Sequence, residues 1–217
     1  MSAVTLADLH RLATAALSGV DDGPSLSSLD IALIRVGLAA SVTSLNSAAI
    51  HTGVNDALAA GCTAPQIQEV ISLVSGLGVH SLMATAVPIV KAAGLESAPL
   101  TPEQQELWNK YVGNDPFWAD FETELPGFLE AMLKLSADQF IAFFDYCAVP
   151  WKNGYVRAKL KELIAMACDG TPAHIFIPGF RLHLTNAIKI GVGRKAILEC
   201  LELAAAAPSH EGFNGAV

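Results

Sequence analysis

Three observations on the 217-residue sequence predict an all-α fold. Apolar residues recur at three- and four-residue spacing through almost every segment. Capping residues and Gly or Pro breakers bound those segments, and none shows sustained alternation of β-branched residues. A stretch in the last quarter, Ala158 to Ala205, also reappears in worn form 130 residues earlier, as Gly191 falls on Gly61. Together these imply a helical bundle with two internal repeats.

The elements follow in order. Val4 to Leu17 places Leu6, Leu9, Leu12, Ala13 and Ala16 on one helical face, and Asp21-Asp22-Gly23-Pro24 ends it. Ser25 to Ser28 offer N-caps for a helix to about Val42. Ser47 to Ala60 follows and stops at Gly61, and Thr63 caps a helix with Pro65 in its first turn. Gly76 and Gly78 allow a bend before His80 to Ala93. Thr101-Pro102 starts the next helix, through Val112. Asp115 to Pro126 reads as aromatic and turn-rich. Gly127–Lys134 and Ser136–Val149 read as a helical pair, and Pro150 to Gly154 as a loop. Tyr155 to Cys168, ended by the breaking turn Asp169-Gly170-Thr171-Pro172, then Phe176 to Ile190 and Arg194 to Ala206 close the fold, and a small polar tail runs from Pro208 to Val217.

The repeat needs no gap. Leu163 and Ile164 fall on Leu33 and Ile34, Ala187 on Ala57, Ile197 on Ile67, Glu199 on Glu69 and His210 on His80. Glu162, however, falls on Ala32, and His183 on Gly53. The scaffold is kept twice and the ionisable pair once. Residues 1–99 are then expected to form a degenerate repeat, 100–153 a helical connection packed on both halves, and 154–217 the second repeat with the site. The three tryptophans and the aromatics of Asp115–Phe121 are expected at the seam between halves.

Net charge is −8, which argues against nucleic acid, since phosphate binding needs clustered Lys and Arg. No charge-free apolar run spans a bilayer. The longest, Ile71 to Ala93, is interrupted by Gly76, Gly78, His80, Pro88 and Lys91 and reads as a buried helix. The N-terminus shows no basic region followed by an apolar core, so a cytoplasmic chain is expected. Hydrophobic content of 52% predicts that apolar surface is covered in a homo-oligomer. Cys62, Cys147, Cys168 and Cys200 are scattered without a C-x-x-C and read as inert buried thiols.

Chemistry rests on few side chains. Glu162 has two readings: a solvent-facing acid paired with Lys159 three positions back, or a buried acid whose desolvation makes it a proton donor or acceptor. His183 lies among Phe180, Leu182, Leu184 and Ala187, as a satisfied core histidine or as a proton-transfer group with a suitable ordinary pKa. His174 is either a loop residue or a third polar wall of a pocket. Arg181 either faces solvent or holds a substrate carboxylate. Trp151 and Phe176 are further candidates to line a substrate site. His51 reads as structural or exposed, and His80 and His210, related by the repeat, as structural or as an inter-subunit contact. No histidines are spaced as a helical H-x-x-x-H, so no metal is expected.

Glu162-Leu-Ile, His183, Ala187, Gly191 and the Ile197…Glu199 helix together resemble the carboxymuconolactone decarboxylase family, which shares its fold with the AhpD-like alkylhydroperoxidases. The resemblance covers roughly Gly154 to Ala205 in full and Leu29 to Gly94 as scaffold. It implies an AhpD-like all-α bundle assembling as a dimer, trimer or hexamer. The peroxidase branch has a C-x-x-C where this chain has Phe176 and Gly179. The decarboxylase branch needs no thiol, metal or organic cofactor. The resemblance therefore implies a cofactor-independent decarboxylase or related acid–base lyase acting on a small lactone or carboxylic acid. Glu162, His183 and His174 would be its proton-transfer and orienting groups. A peroxidase-like antioxidant protein and a non-catalytic binding or assembly protein of the same fold are the alternatives.

Overall fold

The computed structural model describes residues 3–212. The end of the predicted tail, residues 213–217, lies outside them. In chain order the helices are α1 (Leu6–Ala16), α2 (Ser28–Ala40), α3 (Ser47–Ala59), α4 (Ala64–Ser75), α5 (His80–Ala92), α6 (Pro102–Tyr111), α7 (Pro116–Glu124), α8 (Phe128–Leu135), α9 (Ala137–Lys152), α10 (Ala158–Asp169), α11 (Ile177–Lys189) and α12 (Arg194–Ala205). A 3₁₀ turn, Gly76–Val79, joins α4 to α5, and β1 (Gly170–Thr171) pairs antiparallel with β2 (His174–Ile175). The fold is all-α and AhpD-like.

Among the described residues two compact units emerge, one made of residues 3–77 and 150–212, the other of 78–149. In the first, α2, α3 and α4 begin 130 residues before α10, α11 and α12, at Ser28 and Ala158, Ser47 and Ile177, Ala64 and Arg194. Local chemistry explains the boundaries. Ser27 with Asp30, and Thr63 with Gln66, form capping boxes, and Asn46 caps α3. Helix α12 has no side-chain cap. The carbonyls of Asp21 and Asp22 instead accept from Arg194 and Lys195 at 2.9 Å each, meeting amides that the helix leaves unpaired. Gly193 permits this approach, because a Cβ there would lie 2.5 Å from the Asp22 carbonyl oxygen.

The core of this unit forms where α2 and α10 cross, with Leu33, Ile34, Ile164, Met166, Phe180 and Ile197 fully buried. Gly37 sets their separation. A Cβ on it would meet Ile164, Val70 and Val74 methyls at 3.1–3.3 Å. Two glutamates then tie each half to the other. Glu69 accepts from the backbone N–H of Tyr155 and Val156 at 3.0 and 3.1 Å, and Glu199 accepts from that of Leu26 at 2.7 Å. Leu26 and Val156 are themselves counterparts at the 130-residue offset. Glu69 also holds Lys161, whose ammonium lies 5.3 Å from the Trp151 ring centroid.

The second unit has an aromatic core. Trp118 packs against Phe144 at 4.7 Å between ring centroids, Phe121 against Phe128 at 6.0 Å and Phe128 against Phe143 at 5.7 Å. These rings pack on one another within this unit. The stretch expected to be turn-rich is helix α7, because Asp115 caps it and Pro116 occupies its first position. The expected loop at Pro150–Trp151 is the last turn of α9. The run Ala64–Ala92 is long and apolar enough, by length and composition, to cross a membrane. Only 22% of its most apolar stretch is buried, so it is not the buried helix expected from the sequence. Helix α4 buries one face through Ile67, Val70 and Val74, whereas α5 buries only Ala86 and Val90.

Candidate functional site

Helix α10 is the innermost element, with every residue from Leu160 to Asp169 buried. An ionisable group on it leaves water whatever its direction, so each one needs a partner. Lys161 has Glu69. Burial would raise the Glu69 pKa, but the bond to Lys161 and the amides of Val156 and Tyr155 hold it below the ordinary glutamate range. Glu162, only 7% exposed, has His183, with Oε2 2.7 Å from Nδ1. The solvent-facing reading of Glu162 fails. Lys159 instead donates to the Gly191 carbonyl at 2.7 Å.

The turn between α10 and α11 makes this pairing possible. Thr171 pairs with His174 and Gly170 with Ile175, and the Phe176 amide donates to the Asp169 carbonyl at 3.0 Å. This tight reversal lays α11 back along α10. Asn186, three residues beyond His183 and therefore on the same helix face, places Nδ2 3.5 Å from Glu162 Oε1. The His183 side chain keeps 22% exposure, so the pair is closed on the Glu162 side and open on the imidazole side. Burial alone would lower the His183 pKa. The hydrogen bond and charge of Glu162, with the charge of Asp169, raise it on balance.

Asp169 is a site residue missed by the sequence reading, which took it for part of a breaking turn. Its side chain is 2% exposed, and burial pushes its pKa up to about 7 against the lowering influence of His183. His174 stands beside it, Nε2 3.9 Å from Oδ1, with its ring stacked on Phe176 at 6.1 Å between centroids. Burial lowers the His174 pKa. His174 therefore belongs to the strand hairpin rather than to the helix, and it meets Asp169 rather than the Glu162–His183 pair. Phe176 stands at the N-cap of α11 as its ring partner. Arg181 is exposed, two positions before His183 and so about 200° around the helix from it. Trp151 covers Lys161 and is not at Glu162. The signal for Asp169 was available: like Glu162 and His183, it has an uncharged counterpart, Ala39.

The thiols stay away from this chemistry. Cys62, Cys168 and Cys200 are buried and Cys147 is half-buried. Burial raises all four pKa values, that of Cys147 to about 11. A cavity of about 540 Å³ lies apart from the pair, between Leu26, Asp30, Leu33, Arg157 and Leu163, with the Asp30–Arg157 ion pair at its wall.

The chain is an all-α bundle of AhpD-like fold that buries a carboxylate–imidazole pair between α10 and α11. No protein-family model matches the chain, and no curated protein matches it. Among solved structures it is similar to a protein from Burkholderia xenovorans LB400, provisionally assigned as a gamma-carboxymuconolactone decarboxylase subunit. The two are 28% identical, with a TM-score of 0.69 over 83% of this chain and 72% of that one. This neighbour agrees with the resemblance to the carboxymuconolactone decarboxylase family carried by Glu162, His183 and Gly191.

Proposed function

We propose that the protein is a cofactor-independent decarboxylase, or a closely related acid–base lyase, acting on a small lactone or carboxylic acid. The observation that carries this reading is the buried Glu162–His183 hydrogen bond of 2.7 Å. With Nδ1 engaged by Glu162, Nε2 is the ring nitrogen left to meet a substrate. Loss of CO2 from a carboxylated lactone leaves an electron pair that the carbonyl and its conjugated system delocalise as a dienolate. The His183 imidazolium gives one proton to carbon, and solvent returns it. Net, a carboxylate and one proton become the protonated product and CO2. Glu162 stabilises the charged ring before transfer and keeps its orientation after it. His174 orients through Asp169 rather than by touching the pair. The raised thiol pKa values favour this reading over thiol peroxidation, which needs a thiolate.

The similarity to a protein assigned as a decarboxylase subunit supports the same direction. Exposed apolar side chains, among them Leu58, Tyr155 and Ile190, support a homo-oligomer. The test is CO2 release and loss of ultraviolet absorbance with carboxylated lactones as substrates. Turnover that depends on Glu162 and His183 is expected. A wild-type protein inert across a panel of such acids, yet binding them unchanged, would overturn the reading in favour of a binding protein.

A further inference from the structure

We propose that Asp169 is a positioning residue of this site: from the space that Gly179 leaves open at the first turn of α11, its carboxylate sets the orientation and charge of the His183 imidazole. The inference rests on reading Glu162 and His183 as the acid–base pair. Packing alone does not call for an acid here. Asp169 ends α10, where the helix dipole disfavours a negative charge, and it is buried. The equivalent last turn of α2 has Ala39.

The second observation is room. A Cβ on Gly179 would collide with Asp169 Oδ2 and lie 3.0 Å from its Cγ. Position 179 therefore tolerates no side chain while Asp169 is present. Its counterpart in α3 is Ala49, facing a copy without the acid. Within one chain the two positions change together, aspartate with glycine and alanine with alanine. The carboxylate meets α11 near its N-terminus, where the helix dipole favours a negative charge. Within the unit, the ionisable groups that face this region are Glu162 on the same helix, His183 on α11, His174 on β2 and the neutral thiols of Cys168 and Cys200. Helix α1 presents Leu9 beside Gly170. Gly179 lies four residues before His183, one turn away on the same face of α11. The carboxylate that fills its place therefore stands next along that face from the imidazole, and the two groups act on each other electrostatically.

The test is Asp169→Asn, which keeps shape and removes charge, read by ring ¹⁵N shifts of His183 against pH in the full chain. The expected result is a titration midpoint lower by about one pH unit, as for loss of a neighbouring opposite charge. An unchanged midpoint and unchanged tautomer would overturn the proposal. A second experiment covers poor folding of that variant. Gly179→Ala is made in wild type and in Asp169→Ala, and Tm is measured. The loss should be several degrees larger in wild type, because only there does the new methyl meet a carboxylate. Equal losses would contradict the proposed fit. Both readings need no substrate, so a failed decarboxylase assay would count against the function while leaving this inference to stand or fall alone.

Discussion

The two copies within the first unit share a scaffold and differ in content. Helices α3 and α11 have equal lengths, as do α4 and α12, and in each copy a glutamate takes the backbone amides that lead into the other. Yet Glu162, Asp169, His183 and Asn186 in one copy become Ala32, Ala39, Gly53 and Asp56 in the other. Where Ala39 and Gly53 stand in place of Asp169 and His183, a cavity of about 380 Å³ opens, lined by Arg35, Leu38, Ala39, Gly53, Asp56 and Leu203. The scaffold therefore stands without the ionisable set. A buried carboxylate, imidazole and second carboxylate are costly to fold around, and retaining them in one copy alone points to chemistry rather than packing.

The largest expected effect breaks the likeness between the paired glutamates. Glu69→Ala removes the acceptor for two amides and strands the buried Lys161 charge, which should cost about 3–5 kcal/mol. Glu199→Ala removes the acceptor for Leu26 and should cost about 1–2 kcal/mol. Urea denaturation of both variants checks this, and equal losses would show that Lys161 contributes nothing to the asymmetry.

A smaller effect separates Asp169 from Ala39 through pH. The folded pKa of Asp169, about 7, lies above its unfolded value, so the native state holds the proton more tightly. Its contribution to stability is then most favourable below about pH 4 and declines as pH rises towards 7, by a few kcal/mol at about 1.4 kcal/mol per unit. His183, also raised, works in the same sense: its contribution is present below about pH 6.5 and is lost as pH rises through the folded value. Asp169→Asn should flatten the decline measured by denaturation between acidic and neutral pH, whereas Ala39→Ser should leave the slope unchanged.

The smallest effect concerns the thiols. Replacing each cysteine by Ser or Ala should cost about 1–3 kcal/mol at buried positions and spare turnover. Loss of activity on one such change, with the fold intact by circular dichroism, would revive the peroxidase alternative.

Much of this comparison was legible in the sequence. Capping residues and the gapless offset marked the helices, and the absence of an acid at Ala32 and of a ring at Gly53 marked Glu162 and His183. Asp169 was not recognised because Asp-Gly-Thr-Pro reads as a turn, and turn chemistry uses aspartate for local reasons. Only the reversal through β1 and β2 carries its side chain inward. Helix α7 was obscured by its aromatic density, which signals a core but not the backbone around it. Arg181 and Trp151 were proposed from side-chain type alone, without the helical phase that turns Arg181 away from His183.

Turnover of a carboxylated lactone by the Glu162→Gln protein, followed as CO2 released, tests the central claim most directly. Glutamine keeps the shape of the side chain that meets His183 and loses its charge and titration. If the pair performs the proton transfer, the rate should fall by about 100-fold or more with the fold intact, and His183→Ala should match it. Near-wild-type turnover in Glu162→Gln would contradict the account and leave the pair as a buried structural contact.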